Sequence, residues 1–199
     1  MAKDFIIILA WPEGLCAQAG SWYDYFAAKN GKYRAGHSAL ALIDSETGKI
    51  HYLDFGRYQT PNGFGRIRDA ETDPDAGIKQ KAKINGDEIN NIEEILIEIS
   101  NNKSCHGEGT LYSSVITRVN CSSALSYAKK WQEKGAIPYG PFVRGGTNCS
   151  RFVAIITRKA EPSFLKKIRL KFPFCISPSP KRNVSIANTS YYIVKEYKC

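Results

Sequence analysis

Apolar and polar positions along the 199-residue chain fall into blocks of different period. Residues 5–11 (FIIILAW) are continuously apolar, of strand length, and closed by Pro12. This predicts a buried strand over Asp4–Trp11. Asp4 spoils the positive n-region of a secretory leader and the run is short for one, so the segment is expected to stay in the mature fold. It is also too short to span a bilayer. Ser21–Lys29 (SWYDYFAAK) carries apolar residues at 22, 23, 26 and 27 and ends at Asn30-Gly31, which predicts a short helix. HSALALID and KIHYLDFGRY flank the turn-rich Ser45–Gly48 and predict a β-hairpin. Residues 59–87 are polar and rich in Gly, Pro and Asp, and read as a long loop of the kind that forms lids and binding walls.

Helical spacing returns at Asp87–Ser100, with apolar positions at 89, 92, 95, 96 and 99. Leu111–Val119 is strand-like. Asn120 then caps a helix reaching about Lys134, with Ala124, Leu125, Ala128 and Trp131 on one face. The loop AIPYGPFVRGGTN leads into a helix from Cys149 to about Lys159. The last forty residues read as strand-like runs interrupted by SPSPKRN. A main domain over 1–159 with a C-terminal extension over 160–199 packing on it is expected.

Composition adjusts this picture in two places. The net charge is +9, and ten Lys/Arg against two acids from Arg158 onward place +8 of it in the C-terminal segment. That segment is either a solvated basic face or a weak site for an anionic partner. The six cysteines (16, 105, 121, 149, 175 and 199) show no zinc spacing and are too few for a disulfide scaffold, so neither a metal nor a cofactor is expected.

One cysteine stands apart. In RGGTNCSRFVAII, Cys149 opens a helix, where the helix dipole and unsatisfied N–H groups favour a thiolate. The same groups suit an oxyanion, and Gly145-Gly146 would let a substrate backbone approach. A nucleophilic thiol needs a base, and the histidines are His37, His51 and His106. His37 begins an apolar strand, His51 lies on the expected partner strand three residues before Asp54, and His106 has no argued role.

GHSALALI, a polar residue on the adjoining strand, and the later GTNCSRFV resemble the circularly permuted branch of the papain-like superfamily. That branch includes lecithin retinol acyltransferase-like enzymes and permuted relatives of bacterial cell-wall endopeptidases. The resemblance covers roughly residues 30–158. It implies an α+β fold with a central antiparallel sheet packed against helices. It also implies Cys149 as nucleophile, His37 as base, and a polar residue orienting the imidazole. That third residue is Asp54 or His51. Their spacing of three puts them on opposite faces of a strand. Pairing Ile43 with Ile50 selects Asp54, the preferred reading, and a one-residue slip selects His51.

Substrate contacts are expected from Asn148, Gly146, Tyr139 and Arg57, with Phe142 at the rim. For Asn148 and Thr147 the plainer role is loop and cap; Arg57, Arg66 and Arg68 form either a cleft wall that recognises an anionic or peptide-like group or a strand and loop held by Asp69 and Asp73. The expected function is hydrolysis of an amide or peptide bond by a bacterial thiol peptidase or amidase, in the cytoplasm. The alternatives are acyl transfer at the same site, or a non-catalytic binding module using the 59–87 loop and the basic segment.

Overall fold

The computed structural model describes residues 4–17, 32–105, 107–140, 143–172, 179–196 and 198–199. The helix expected at Ser21–Lys29, together with His106 and Phe142, lies outside them. The strands are β1 (Asp4–Trp11), β2 (Leu15–Ala17), β3 (Lys32–Arg34), β4 (His37–Ile43), β5 (Ile50–Gly56), β6 (Phe64–Arg68), β7 (Ile84–Asn85), β8 (Glu88–Ile89), β9 (Leu111–Val119), β10 (Ile137–Pro138) and β11 (Tyr192–Val194). Five helices are described: α1 (Ile92–Asn101), α2 (Cys121–Gln132), α3 (Cys149–Lys159), α4 (Phe164–Lys171) and α5 (Pro180–Ala187).

Seven strands form one antiparallel sheet in the order β10-β6-β5-β4-β1-β9-β11. β1 lies between β4 and β9, which is why its sequence is apolar without alternation: Phe5 to Ala10 are fully buried. Each such side chain contributes about 1.5–3 kcal/mol of transfer free energy. On one face Phe5, Ile7, Leu9, Ala39, Ala41 and Tyr52 meet Ile92, Ile95, Leu96 and Ile99 of α1. On the other, Ile6, Ile8, Leu40, Leu42 and Phe55 meet α2 and α3, including Ala124, Phe152 and Ile156.

The hairpin register pairs Ile43 with Ile50, Leu42 with His51, and Ala39 with Asp54. Three expectations need correction. The 59–87 loop contains β6, which pairs with β5, and a short turn of helix at Pro74–Ala76. The strand reading of the Arg66–Arg68 stretch holds here, although Gly65 replaces an apolar position in FGRIR and leaves no clear alternation. The helix expected from Asp87 begins at Ile92, because residues 88–89 pair with 84–85 instead. The C-terminal segment holds two helices before its single three-residue strand. It adds β11 to the sheet edge at β9, and buried Asn183 donates to the Ser150 carbonyl at 2.7 Å, bracing the first turn of α3.

Candidate active site

His37 is the first residue of β4, at the end of the sheet, where a side chain escapes the core but stays close to it. Its neighbour across β1 is Trp11, whose ring stacks on the imidazole with centroids 5.9 Å apart. Gly107 closes over that indole: a Cβ there would meet the Trp11 ring at 2.1 Å, so any larger residue would displace the ring.

The register puts Asp54, fully buried, on the His37 face, and its Oδ2 lies 3.2 Å from His37 Nε2. His51 points to the opposite face, beside Leu42, and is not brought to His37. Arg68, directly across β6 from Asp54, donates to the carboxylate through Nε at 3.0 Å and Nη2 at 2.6 Å. Tyr58 donates to the same carboxylate at 2.9 Å and Tyr52 at 3.3 Å. The Tyr58 ring covers the guanidinium at 3.6 Å, and Arg68 also bonds the Ser104 carbonyl. A buried carboxylate with this many donors stays ionised: burial opposes the charge, but His37 and Arg68 outweigh it and hold Asp54 below the usual carboxylate range.

Cys149 is the first residue of α3 and only 7% exposed. Asn148 caps the helix, its side chain accepting from the Arg151 N–H at 2.9 Å. The preceding loop is fixed to β10: Thr147 N–H donates to the Pro138 carbonyl at 3.0 Å, and Gly140 N–H to the Thr147 carbonyl at 2.9 Å. Gly146 is required there, because a Cβ would sit 2.6 Å from the Pro138 carbonyl oxygen.

The thiol and the imidazole act on each other's ionisation. Burial disfavours the imidazolium, but the bonds to Asp54 and Cys149 and their charges prevail, raising the pKa of His37 to about 9. Burial likewise disfavours the thiolate, and His37, Ser150 and the Ser38 backbone reverse that and lower the pKa of Cys149. Each shift favours the charged form of its group, so together they favour a thiolate–imidazolium pair.

Of the expected substrate contacts, Asn148 and Gly146 have the structural tasks just described. Tyr139 stacks on Phe55 at 5.6 Å, and the Arg57 guanidinium lies over the Tyr139 ring at 5.4 Å. Arg66 pairs with Asp73 at 2.6 and 2.7 Å, as a structural arginine would, while Asp69 pairs with Lys129 rather than an arginine. Tyr52, Tyr58 and Trp11 were not anticipated, and Arg68, expected in a strand and loop held by Asp69 and Asp73, pairs with Asp54 instead. Their signal lay in the register, since Asp54 opposite Arg68 becomes visible only once β6 is a strand. Among the described residues no group of three or more His, Cys, Asp or Glu is placed to hold a metal, and no helix is long and apolar enough to cross a membrane.

A buried thiol at a helix start and a His–Asp–Arg cluster at the end of an antiparallel α+β sheet make up the candidate site. The type VI secretion system effector TseH-like family matches residues 6–163, and the chain belongs to that family. The crystal structure of the type VI secretion system effector TseH superposes with a TM-score of 0.66, covering 98% of this chain and 93% of that one at 21% identity, a likeness of fold. No curated protein sequence matches the chain.

Proposed function

We propose that this effector-family protein is a thiol hydrolase of the circularly permuted papain-like type, cleaving an amide or peptide bond. The observation that carries the reading is the His37–Asp54 pair, clamped by Arg68, together with the opposed ionisation shifts of His37 and the helix-start thiol Cys149. The Cys149 thiolate attacks the carbonyl carbon, forming an S–C bond as the C=O π electrons move to oxygen. N–H groups of the first turn of α3 stabilise that oxyanion. As the tetrahedral intermediate collapses, the C–N bond breaks and His37 delivers its proton to the departing amine. Water then attacks the thioester carbonyl, His37 takes up its proton, and the C–S bond breaks to release the acid and restore the thiolate. Asp54 keeps the imidazole oriented and favours its charged form. As an effector, the protein would be made in the cytoplasm and meet its substrate after export.

The test measures amine release from peptide amides and from purified peptidoglycan. Cys149→Ala is expected to lose on the order of 10⁴-fold or more in rate, while Cys121→Ala keeps full activity. Retention of activity by Cys149→Ala contradicts the assignment. Adding an amine acceptor separates acyl transfer, which gives a new amide, from hydrolysis.

A further inference from the structure

α4 presents its apolar residues to solvent. Phe164 is 75% exposed, Leu165 72%, Phe172 57% and Ile168 41%, which makes four of the seven large exposed hydrophobics among the described residues. At about 100° of helix rotation per residue, these four fall within an arc of about 100°. Leu170, on the opposite side, is buried against Ala154 of α3 and Ile186 of α5 and fixes the helix with that arc outward. Cations border the arc: Arg169 and Lys166 on one side, Lys171 and Lys167 on the other, with no acid within the helix. Beside it, an open cleft of about 380 Å³ is lined by Ser123, Arg158, Lys159, Glu161, Lys167 and Lys171. Arg158 lines the cleft, and its Nε is buried without a hydrogen-bond partner.

We propose that α4 is an interfacial helix that seats the protein on an anionic phospholipid bilayer. The apolar arc enters the acyl boundary, the flanking cations meet the headgroups, and the cleft at Arg158 receives a lipid phosphate. An apolar stripe rimmed by Lys and Arg is the pattern of helices that lie in a membrane interface. Solvating aliphatic Leu165 and Ile168 serves no purpose on a face meant for nucleic acid, where cations and stacking rings suffice. The eight-residue helix is far too short to span a bilayer, so attachment is peripheral and reversible. The inference does not rest on the hydrolase reading.

The test is flotation of the full chain with vesicles of phosphatidylcholine alone or mixed with phosphatidylglycerol, alongside binding to RNA and size-exclusion chromatography. The chain should float with the mixed vesicles and not with the neutral ones. The double substitution Phe164→Glu/Leu165→Glu should weaken partitioning at least about a hundredfold, and Lys167→Ala or Lys171→Ala about fivefold each. Leu165→Trp, which keeps the face apolar, should retain binding, and circular dichroism checks that each variant is folded. Failure to float with mixed vesicles overturns the proposal. So does equal flotation with neutral ones, or indifference to the double substitution. RNA binding without vesicle binding would reassign the face to nucleic acid. A dimer abolished by the double substitution, again without vesicle binding, would reassign it to a second copy.

Discussion

The tripeptide Asn-Cys-Ser starts two helices in this chain, at 120–122 and at 148–150. The local structures match: each asparagine caps its helix by accepting from the N–H three residues on, at 2.9 Å, and each cysteine is the first helical residue and buried. Both thiols therefore meet the same helix dipole. Yet burial pushes the Cys121 pKa up to about 12, while that of Cys149 is lowered. The Cys121 thiol donates to the Phe5 and Ile43 carbonyls, and its burial, with Asp4 nearby, disfavours a thiolate. Cys149 faces His37. A helix N-terminus contributes only about 0.3–1 kcal/mol to a charge, too little to overcome desolvation. The histidine decides the difference, and the histidine depends on Asp54.

The comparison can be broken most severely at Asp54. Asp54→Asn removes the charge that His37 and Arg68 share, stranding a guanidinium whose side chain is 4% exposed. Chemical denaturation should show a loss of about 3–5 kcal/mol, together with an upward shift of the Cys149 thiol toward the Cys121 value. Arg68→Met tests whether the clamp positions Asp54. It should disturb the pH profile of Cys149 reactivity as well as stability, whereas a purely structural arginine would move stability alone.

A smaller effect concerns pH. Folding raises the His37 pKa from 6.5 to about 9, so its stabilisation is complete below 6.5 and is lost as pH rises through 9. The lowered pKa of Cys149 has the opposite sign: its stabilisation is present above about 8.5, the free-thiol value, and is lost on acidification. Between those limits the folded and unfolded pairs each hold one proton, so this pair gives no slope. Cys149→Ala deletes the second contribution and leaves His37 held up by Asp54. Its stability should then fall from about pH 6.5 upward, by at most about 1.4 kcal/mol per unit. Urea melts across that range measure it, and a Cys149→Ala profile parallel to wild type would argue against the ion pair.

The smallest effect compares the caps. Asn120→Ala and Asn148→Ala should each cost about 1 kcal/mol in denaturation midpoints. Only Asn148→Ala should slow alkylation of its neighbouring cysteine, because only that cysteine must be held against a histidine.

Much of this architecture was legible from periodicity. β1, β4, β5, β9, α2 and α3 stand where apolar runs and caps predict them, because their patterns agree with their local burial. Pairing Ile43 with Ile50 was enough to place Asp54 rather than His51 on the His37 face. β6 was legible only as one of two readings, since Gly65 and two arginines blur its alternation, and its pairing with β5 was not. With it went Arg68, whose role exists only across a strand pair. The C-terminal helices were missed because α4 carries its apolar residues outward, so its pattern does not report the core. The contrast between Cys121 and Cys149 was also invisible locally, as identical tripeptides differ only in what the distant chain brings to them.

The central claim is that His37, not the helix end, makes Cys149 a thiolate. Its most direct test is iodoacetamide alkylation of the folded chain across a pH series, with each modified cysteine mapped by mass spectrometry. The account predicts that Cys149 alkylates with a midpoint well below about 8.5, that Cys121 stays unmodified until the chain unfolds, and that His37→Ala abolishes the early reaction. An ordinary thiol profile at Cys149, or an early reaction that survives His37→Ala, would contradict it.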